Sequence, residues 1–335
     1  MKYRTLGTTG LTVSEIGFGG WGIGGTRDNA VAYGPTDDHA SLRALRRAVA
    51  LGVTFYDTAD LYGRGHSEEL IGAALRKERQ HVVIASKVGL LGPDGSQDFS
   101  PAHIRQSIEG TLARLQTDYL DLYQLHNPSV EVLEREPQVL GALQALQRAG
   151  TIRAIGVSAR SPDEALTIAK RFSVKCLQVN FNLLDQRALE NGLLAFCQAA
   201  QVGLIGRTPL CFGFLTGAYS ARSKFGEGDH RTRWPVEQRA LWTEASRRLT
   251  SARESKEDTD AQFALRFCLS YPGVSTVIPG MLTGQQVEEN IPASDFGPLT
   301  ALERVTCERM YREQPAFLGG EPQAMGQGAS DVFHR

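Results

Sequence analysis

Eight short apolar runs, rich in β-branched residues, alternate along this chain with longer segments whose apolar positions recur at helical spacing, and this order constrains the fold most. The strand candidates are 16–19, 54–57, 82–87, 120–124, 154–158, 176–180, 204–207 and 275–278. Helix candidates lie at 38–51, 67–77, 101–115, 130–149, 162–172, 187–200 and 260–270, several opened by Ser, Asp or a first-turn Pro. Strand–helix–strand units join by right-handed crossovers, so eight in one chain predict a closed parallel (β/α)8 TIM barrel, class α/β. Residues 2–14 read as an N-terminal β-hairpin around Gly7-Thr8-Thr9-Gly10, and an extra helix is expected near the C-terminus. The expectation is one barrel domain over 1–313, followed by a mobile tail, 314–335, rich in Gly, Pro and Gln. A long Gly-bearing connection from 210 to 235 is the candidate lid.

The charge balance, 36 basic against 37 acidic residues, gives no reason to expect a nucleic acid or an anionic membrane as partner. A small neutral or weakly charged molecule fits better, and nothing in the pattern indicates an oligomer. Five cysteines are scattered without a C-x-x-C pair, and the histidines outside the strand ends show no i, i+4 pairing with carboxylates. No metal is expected. The first 13 residues are polar and no run approaches about 18 apolar residues, so a cytoplasmic location is expected.

Barrel enzymes carry their chemistry at the C-terminal ends of the strands. The second strand ends in Asp57 and runs on to Tyr62, the third ends in Lys87, and the fourth leads into His126. A tyrosine with a pKa near about 10 is a reluctant proton donor or acceptor at neutral pH, and a nearby ammonium makes its phenolate easier to form. Lys87 can supply that charge, Asp57 can hold Lys87, and His126 can hydrogen-bond a reacting oxygen. Gly20-Trp21-Gly22-Ile23-Gly24-Gly25 satisfies G-x-G-x-x-G, but the following helix starts only near Asp38. A dinucleotide-binding βαβ unit is therefore rejected, and the glycines read as a close backbone approach at the barrel mouth.

Phe-Tyr-Asp-Thr-Ala-Asp-Leu-Tyr-Gly at 55–63, Ala-Ser-Lys-Val at 85–88 and Leu-Tyr-Gln-Leu-His at 122–126 carry a resemblance to the aldo-keto reductases, extending over about 2–311. The resemblance implies carbonyl reduction or alcohol oxidation by hydride exchange with a nicotinamide cofactor held without a Rossmann domain. It makes Asp57, Tyr62, Lys87 and His126 the catalytic tetrad. Ser158 and Gln178 resemble the residues that hold the carboxamide, although Ala159 stands where an Asn is usual. The stretch from Arg207 through Pro209, Leu210, Gly213 and Leu215 to Gly217 resembles the loop over the pyrophosphate, with Arg207 where many members stack a tyrosine. Gly280, Gln286, Glu289 and Asn290 resemble the adenosine segment, and Gly20, Trp21 and Asp57 are expected to touch the cofactor too.

NADP follows from family habit. NAD is the alternative, because Leu282 and Gln286 stand where an Arg is expected, and a phosphate dianion favours a guanidinium fork. Trp21, Tyr62, His126, Asn127 and Phe212 are the expected substrate-pocket residues, with specificity in the loops around Trp21, 90–97, Asn127 and 210–235. Two other readings stay open: a sugar or alcohol dehydrogenase preferring NAD, and a cofactor-sensing regulatory subunit like the ion-channel-associated relatives this family resembles.

Overall fold

The computed structural model of the chain describes residues 1–27, 30–92, 94–314 and 316. Strands β1 (Tyr3–Thr5) and β2 (Thr12–Ser14) form the expected antiparallel hairpin. Eight parallel strands follow: β3 (Phe18–Gly19), β4 (Phe55–Asp57), β5 (Val83–Val88), β6 (Leu120–His126), β7 (Ile152–Ser158), β8 (Cys176–Asn180), β9 (Gly203–Arg207) and β10 (Thr276–Ile278). They pair in sequence order, and parallel bridges Ile16–Val277 and Gly19–Gly280 bring the first against the last. The expected (β/α)8 barrel is the architecture observed.

Alternate residues on each strand face inward. Phe55, Ala85, Leu122, Ala154, Cys176, Ile205 and Ile278 fill the interior together with Leu6, Leu11 and Val13 of the hairpin, which closes the N-terminal end. The outward residues, among them Tyr56, Ile84, Tyr123, Val157, Leu177 and Leu204, pack beneath the helices. The apolar layer is thus spent at one end, leaving the opposite end for polar side chains.

Helices α1 (Asp38–Ala50), α2 (His66–Leu75), α3 (Pro101–Leu115), α4 (Val130–Arg135), α5 (Gln138–Arg148), α6 (Pro162–Arg171), α7 (Arg187–Glu190) and α8 (Leu193–Ala200) wrap the barrel. Side chains of Asp37, Ser100, Ser129 and Ser161 accept from backbone N–H groups at four of their starts. Two expected helices are each broken in two. Pro137 divides 130–149, and Gly192, at φ 82°, divides 187–200.

The chain continues through α9 (Val236–Thr250), α10 (Asp260–Leu269), α11 (Gly284–Asn290), α12 (Pro292–Phe296) and α13 (Ala301–Glu313). Helix α9 was not foreseen, because its sequence is dominated by polar and charged residues and its apolar stripe is only Trp242, Ala245 and Leu249, all buried. Helix α13 is the extra C-terminal helix, opened by a Thr300–Glu303 capping box. Of the tail expected to be mobile, Gln314 is bonded by Arg248, and the Ala316 carbonyl accepts from Gln238 Nε2 at 2.9 Å. The remainder lies outside the described residues. Among the described residues, no helix is long and apolar enough to cross a membrane.

Candidate active site

The inward register that buries Phe55, Ala85, Leu122, Ala154, Cys176 and Ile205 places Asp57, Lys87, Gln124, His126, Ser158, Gln178, Asn180 and Arg207 on the same faces nearer the strand ends. Lys87, fully buried, donates from Nζ to Asp57 Oδ1 at 2.5 Å, to the Thr58 carbonyl at 2.9 Å and to the Tyr62 hydroxyl at 3.2 Å. Those three bonds use every ammonium proton. Asp57 Oδ2 accepts from Gln178 Nε2 at 2.8 Å and Gln124 Nε2 at 3.1 Å. The ion pair expected from sequence is therefore present, anchored by a glutamine, Gln124, that the sequence reading did not single out. Its signal was available: it stands two residues before His126 and so faces the same way.

Tyr62 lies on the loop after β4, and two glycines fix its position. A Cβ on Gly63 would come 2.1 Å from the Gly24 carbonyl oxygen, and one on Gly24 would come 2.8 Å from the Tyr62 carbonyl carbon. Only glycine at both sites lets the loops after β3 and β4 cross so closely. A chain from Thr58 Oγ1 to Ser67 Oγ and on to the Gly20 carbonyl, 2.8 Å at each step, ties the same loops together. The ring of Tyr62 then meets His126 edge-on at 6.0 Å between centroids.

Burial pushes the Tyr62 phenol above its ordinary range, and the Lys87 ammonium, pulling it down, does not win. The phenol therefore stays protonated at neutral pH. The same burial pushes Lys87 down, but Asp57 and Tyr62 outweigh it and hold the ammonium charged. Burial, reinforced by Lys87 and Arg207, holds His126 well below the usual histidine range, so its imidazole is neutral.

These residues open onto one cavity of about 850 Å³, within the range of small-molecule sites. It is lined by Asp57, Tyr62, His126, Asn127, Ser158, Gln178, Arg207, Pro209, Leu210, Phe212 and Gly213, and by Gly20, Trp21, Gly280, Gln286, Glu289 and Asn290. Lys87 sits behind Tyr62 rather than in the wall. Two expected cofactor residues are not brought to the cavity. Leu215 is fully buried in the core, and Gly217 turns at φ 74° against Asp260.

Arg207 reaches from β9 to the carbonyl of Ala159 at 3.1 Å. The two departures from the family pattern at 159 and 207 are thus bonded to each other. Asn127, Thr208, Cys211 and Phe212 all adopt positive φ, between 45° and 58°, next to this wall. Such strain in residues other than glycine gathers at functional sites.

The donor set suits a nicotinamide cofactor. Arg207 Nε and Asn127 Oδ1, on two lining residues, are buried polar atoms with no partner among the described residues, and a Cβ on Gly280 would meet no atom within 4 Å. Sequence reasoning named 210–235 as a specificity loop and read Trp234 as part of a pocket lid or an anchor of that loop, but it did not single out Tyr33, Arg64, His230, Arg231 or Arg233 as lining residues. They reach the cavity through a long-range contact: segment 211–234 crosses the mouth and bridges Asp229 to Ala32 and Tyr33. Arg231 clamps it, paired with Asp229 at 2.6 Å and donating to the Tyr219 hydroxyl at 2.6 Å.

A tyrosine hydroxyl bonded by a buried lysine stands at the mouth of a parallel barrel, beside polar residues suited to a nicotinamide. The aldo/keto reductase family model matches residues 15–312, and the chain belongs to that family. It is 30% identical over 326 residues to the uncharacterized oxidoreductase YqkF of Bacillus subtilis, covering 93% of this chain and 99% of that protein. It is 32% identical to the aldo-keto reductase YhdN of Bacillus subtilis, covering 86% of this chain and 87% of that protein. Among solved structures it resembles the holo form of the aldo-keto reductase AKR11C1 from Bacillus halodurans, with a TM-score of 0.75, 30% identity and coverage of 92% and 96% of the two chains. The protein is accordingly an NAD(P)-dependent oxidoreductase acting on carbonyl compounds.

Proposed function

We propose that this barrel, as a single unit over 1–313, reduces an aldehyde or ketone to its alcohol, with Tyr62 as the proton donor. A bound reduced nicotinamide supplies the hydride. Ser158 and Gln178 would hold its carboxamide, with Arg207 beside the ring. Pro209, Leu210 and Gly213 would border the pyrophosphate, and Gly280, Gln286, Glu289 and Asn290 the adenosine. Tyr62, protonated by virtue of its burial, donates to the carbonyl oxygen as negative charge develops there. His126, neutral, gives a hydrogen bond to the same oxygen and so aligns it. Lys87 stabilises the phenolate left on Tyr62, and Asp57 keeps the ammonium in place. In the reverse direction the phenolate accepts the proton from an alcohol.

The observation that carries this reading is the buried Lys87 ammonium bonded at once to Asp57 and to the Tyr62 hydroxyl, two residues that line a cavity large enough for a cofactor and a small substrate. At the adenosine end the cavity wall is Gly280, Leu282, Gln286, Glu289 and Asn290, with no cation among the described residues, and Gln286 Oε1 is already taken by the Leu282 backbone N–H at 2.7 Å. This supports NADH over NADPH, because a 2′-phosphate would meet a carboxylate and no guanidinium.

Carbonyl-dependent oxidation of NADH and of NADPH, followed at 340 nm over an aldehyde and ketone panel, tests both halves. Tyr62→Phe should lower kcat by about a hundredfold or more with little change in cofactor affinity. Equal rates in wild type and variant would remove Tyr62 from its role, and a much lower KM for NADPH would overturn the cofactor preference.

A further inference from the structure

The wall of the cavity formed by the crossing segment is a box of aromatic rings. Trp21, Tyr33, Phe212, His230 and Trp234 pair among themselves with centroids 4.7–6.3 Å apart, mostly edge to face. Arg231, fixed by Asp229 and the Tyr219 hydroxyl, lies 4.8 Å over the Tyr33 ring and holds the box together. Two of these rings carry a polar atom with no partner among the described residues: His230 Nε2 and Trp234 Nε1. Both side chains are more than nine-tenths buried, at 6% and 7% exposure.

The chemistry of each atom is fixed. His230 Nδ1 lies 3.1 Å from the Ala32 carbonyl oxygen, which can only accept, so Nδ1 carries the proton. Burial pushes the imidazole down to about 4, so the ring is neutral and Nε2 offers a bare lone pair. Trp234 Nε1 is a donor and nothing else. An acceptor and a donor thus stand unpaired on adjacent rings, 5.1 Å apart by centroid, in the wall of one cavity. Leaving such atoms buried without partners is costly, so a ligand that satisfies them gains what the folded chain forgoes.

Building on the reading of the protein as a carbonyl reductase, we infer that this box binds a hydroxyl group borne by the substrate away from its carbonyl. His230 Nε2 accepts the hydroxyl proton and Trp234 Nε1 donates to the hydroxyl oxygen. The substrate class is therefore a hydroxylated aldehyde or ketone. An alkyl or aryl carbonyl without a hydroxyl leaves both nitrogens unpaired. A carboxylate only accepts and would face the His230 lone pair, while an ammonium only donates and would meet Arg231 and Arg233 of the same wall. A hydroxyl alone among these both donates and accepts, and the aromatic faces cover the carbon skeleton beside it.

The test compares kcat/KM for two matched pairs, glyceraldehyde against propanal and 4-hydroxybenzaldehyde against benzaldehyde. Wild type should prefer the hydroxylated member of at least one pair by about tenfold or more, since a site built around a hydroxyl rejects the analogue lacking it. His230→Phe, which keeps a ring, should bring that ratio to within about threefold of unity, and Trp234→Phe should lower it in the same direction. A ratio near one in both pairs for wild type, or a ratio that survives in His230→Phe, overturns the inference. A binding arm separates this outcome from failure of the carbonyl-reductase reading: tryptophan quenching by 4-hydroxybenzyl alcohol and benzyl alcohol, with NAD present. Tighter binding of the hydroxylated alcohol, lost in His230→Phe, upholds the box even if no carbonyl turns over. Equal affinities refute it.

Discussion

Replacing Lys87 with methionine removes the ammonium from the buried polar layer while keeping most of the side-chain volume. Its partner Asp57 is 2% exposed, and Lys87 itself is fully buried. The carboxylate would keep its bonds from Gln178 and Gln124 on Oδ2, at 2.8 and 3.1 Å, but lose the only charge paired with it on Oδ1. Breaking a buried pair from one side costs about 3–5 kcal/mol, whereas neutralising both sides costs far less. Lys87→Met and Asp57→Asn should each destabilise by about that amount, and the double variant by less than either. Urea titrations of the four proteins at pH 8, followed by tryptophan fluorescence, read the coupling. Single-variant costs under about 1 kcal/mol, or a double-variant cost equal to their sum, would refute the claim that this pair is a strongly coupled buried unit.

Stability should fall in mild acid, because His230 is neutral when folded down to about 4 but titrates near about 6.5 when unfolded. A group whose folded value is depressed in this way gives full stability above about pH 6.5 and loses about 2 kcal/mol by pH 5. His126 acts in the same direction, and His230→Phe should flatten the profile, as a series of urea midpoints would show; an unchanged slope would contradict the buried neutral state. Arg231→Met deletes the clamp onto Asp229 and Tyr219. Limited proteolysis should then cut within 218–228 faster than in wild type, with weaker cofactor binding, and equal cutting rates would show that the clamp does not hold the segment closed.

The tetrad was legible because a strand has a period of two and a barrel strand ends at the mouth. Asp57, Lys87 and His126 close three consecutive strands, and the motif around Tyr62 completed them. The ion pair between Lys87 and Asp57 followed from charge alone. The direction of the Tyr62 shift did not, since it depends on whether burial or the ammonium is larger, and burial is a property of the folded barrel. Helix α9 was missed because tertiary contact of Trp242, Ala245 and Leu249, not a strong apolar period, fixes it. The breaks at Pro137 and Gly192 were readable from residue type, but their neighbours' helical spacing masked them.

The sequence by itself determined the architecture and the polar strand-end cluster of the cavity, because alternation, strand-end chemistry and glycine placement are local and repeat along the chain. Only the tertiary structure decided the far wall. His230 and Trp234 enter the cavity because Asp229 pairs with Ala32 and Tyr33, nearly two hundred residues away, and Arg231 locks the crossing. A contact of such sequence separation leaves no periodic trace, so this wall became visible only when the chain was closed upon itself.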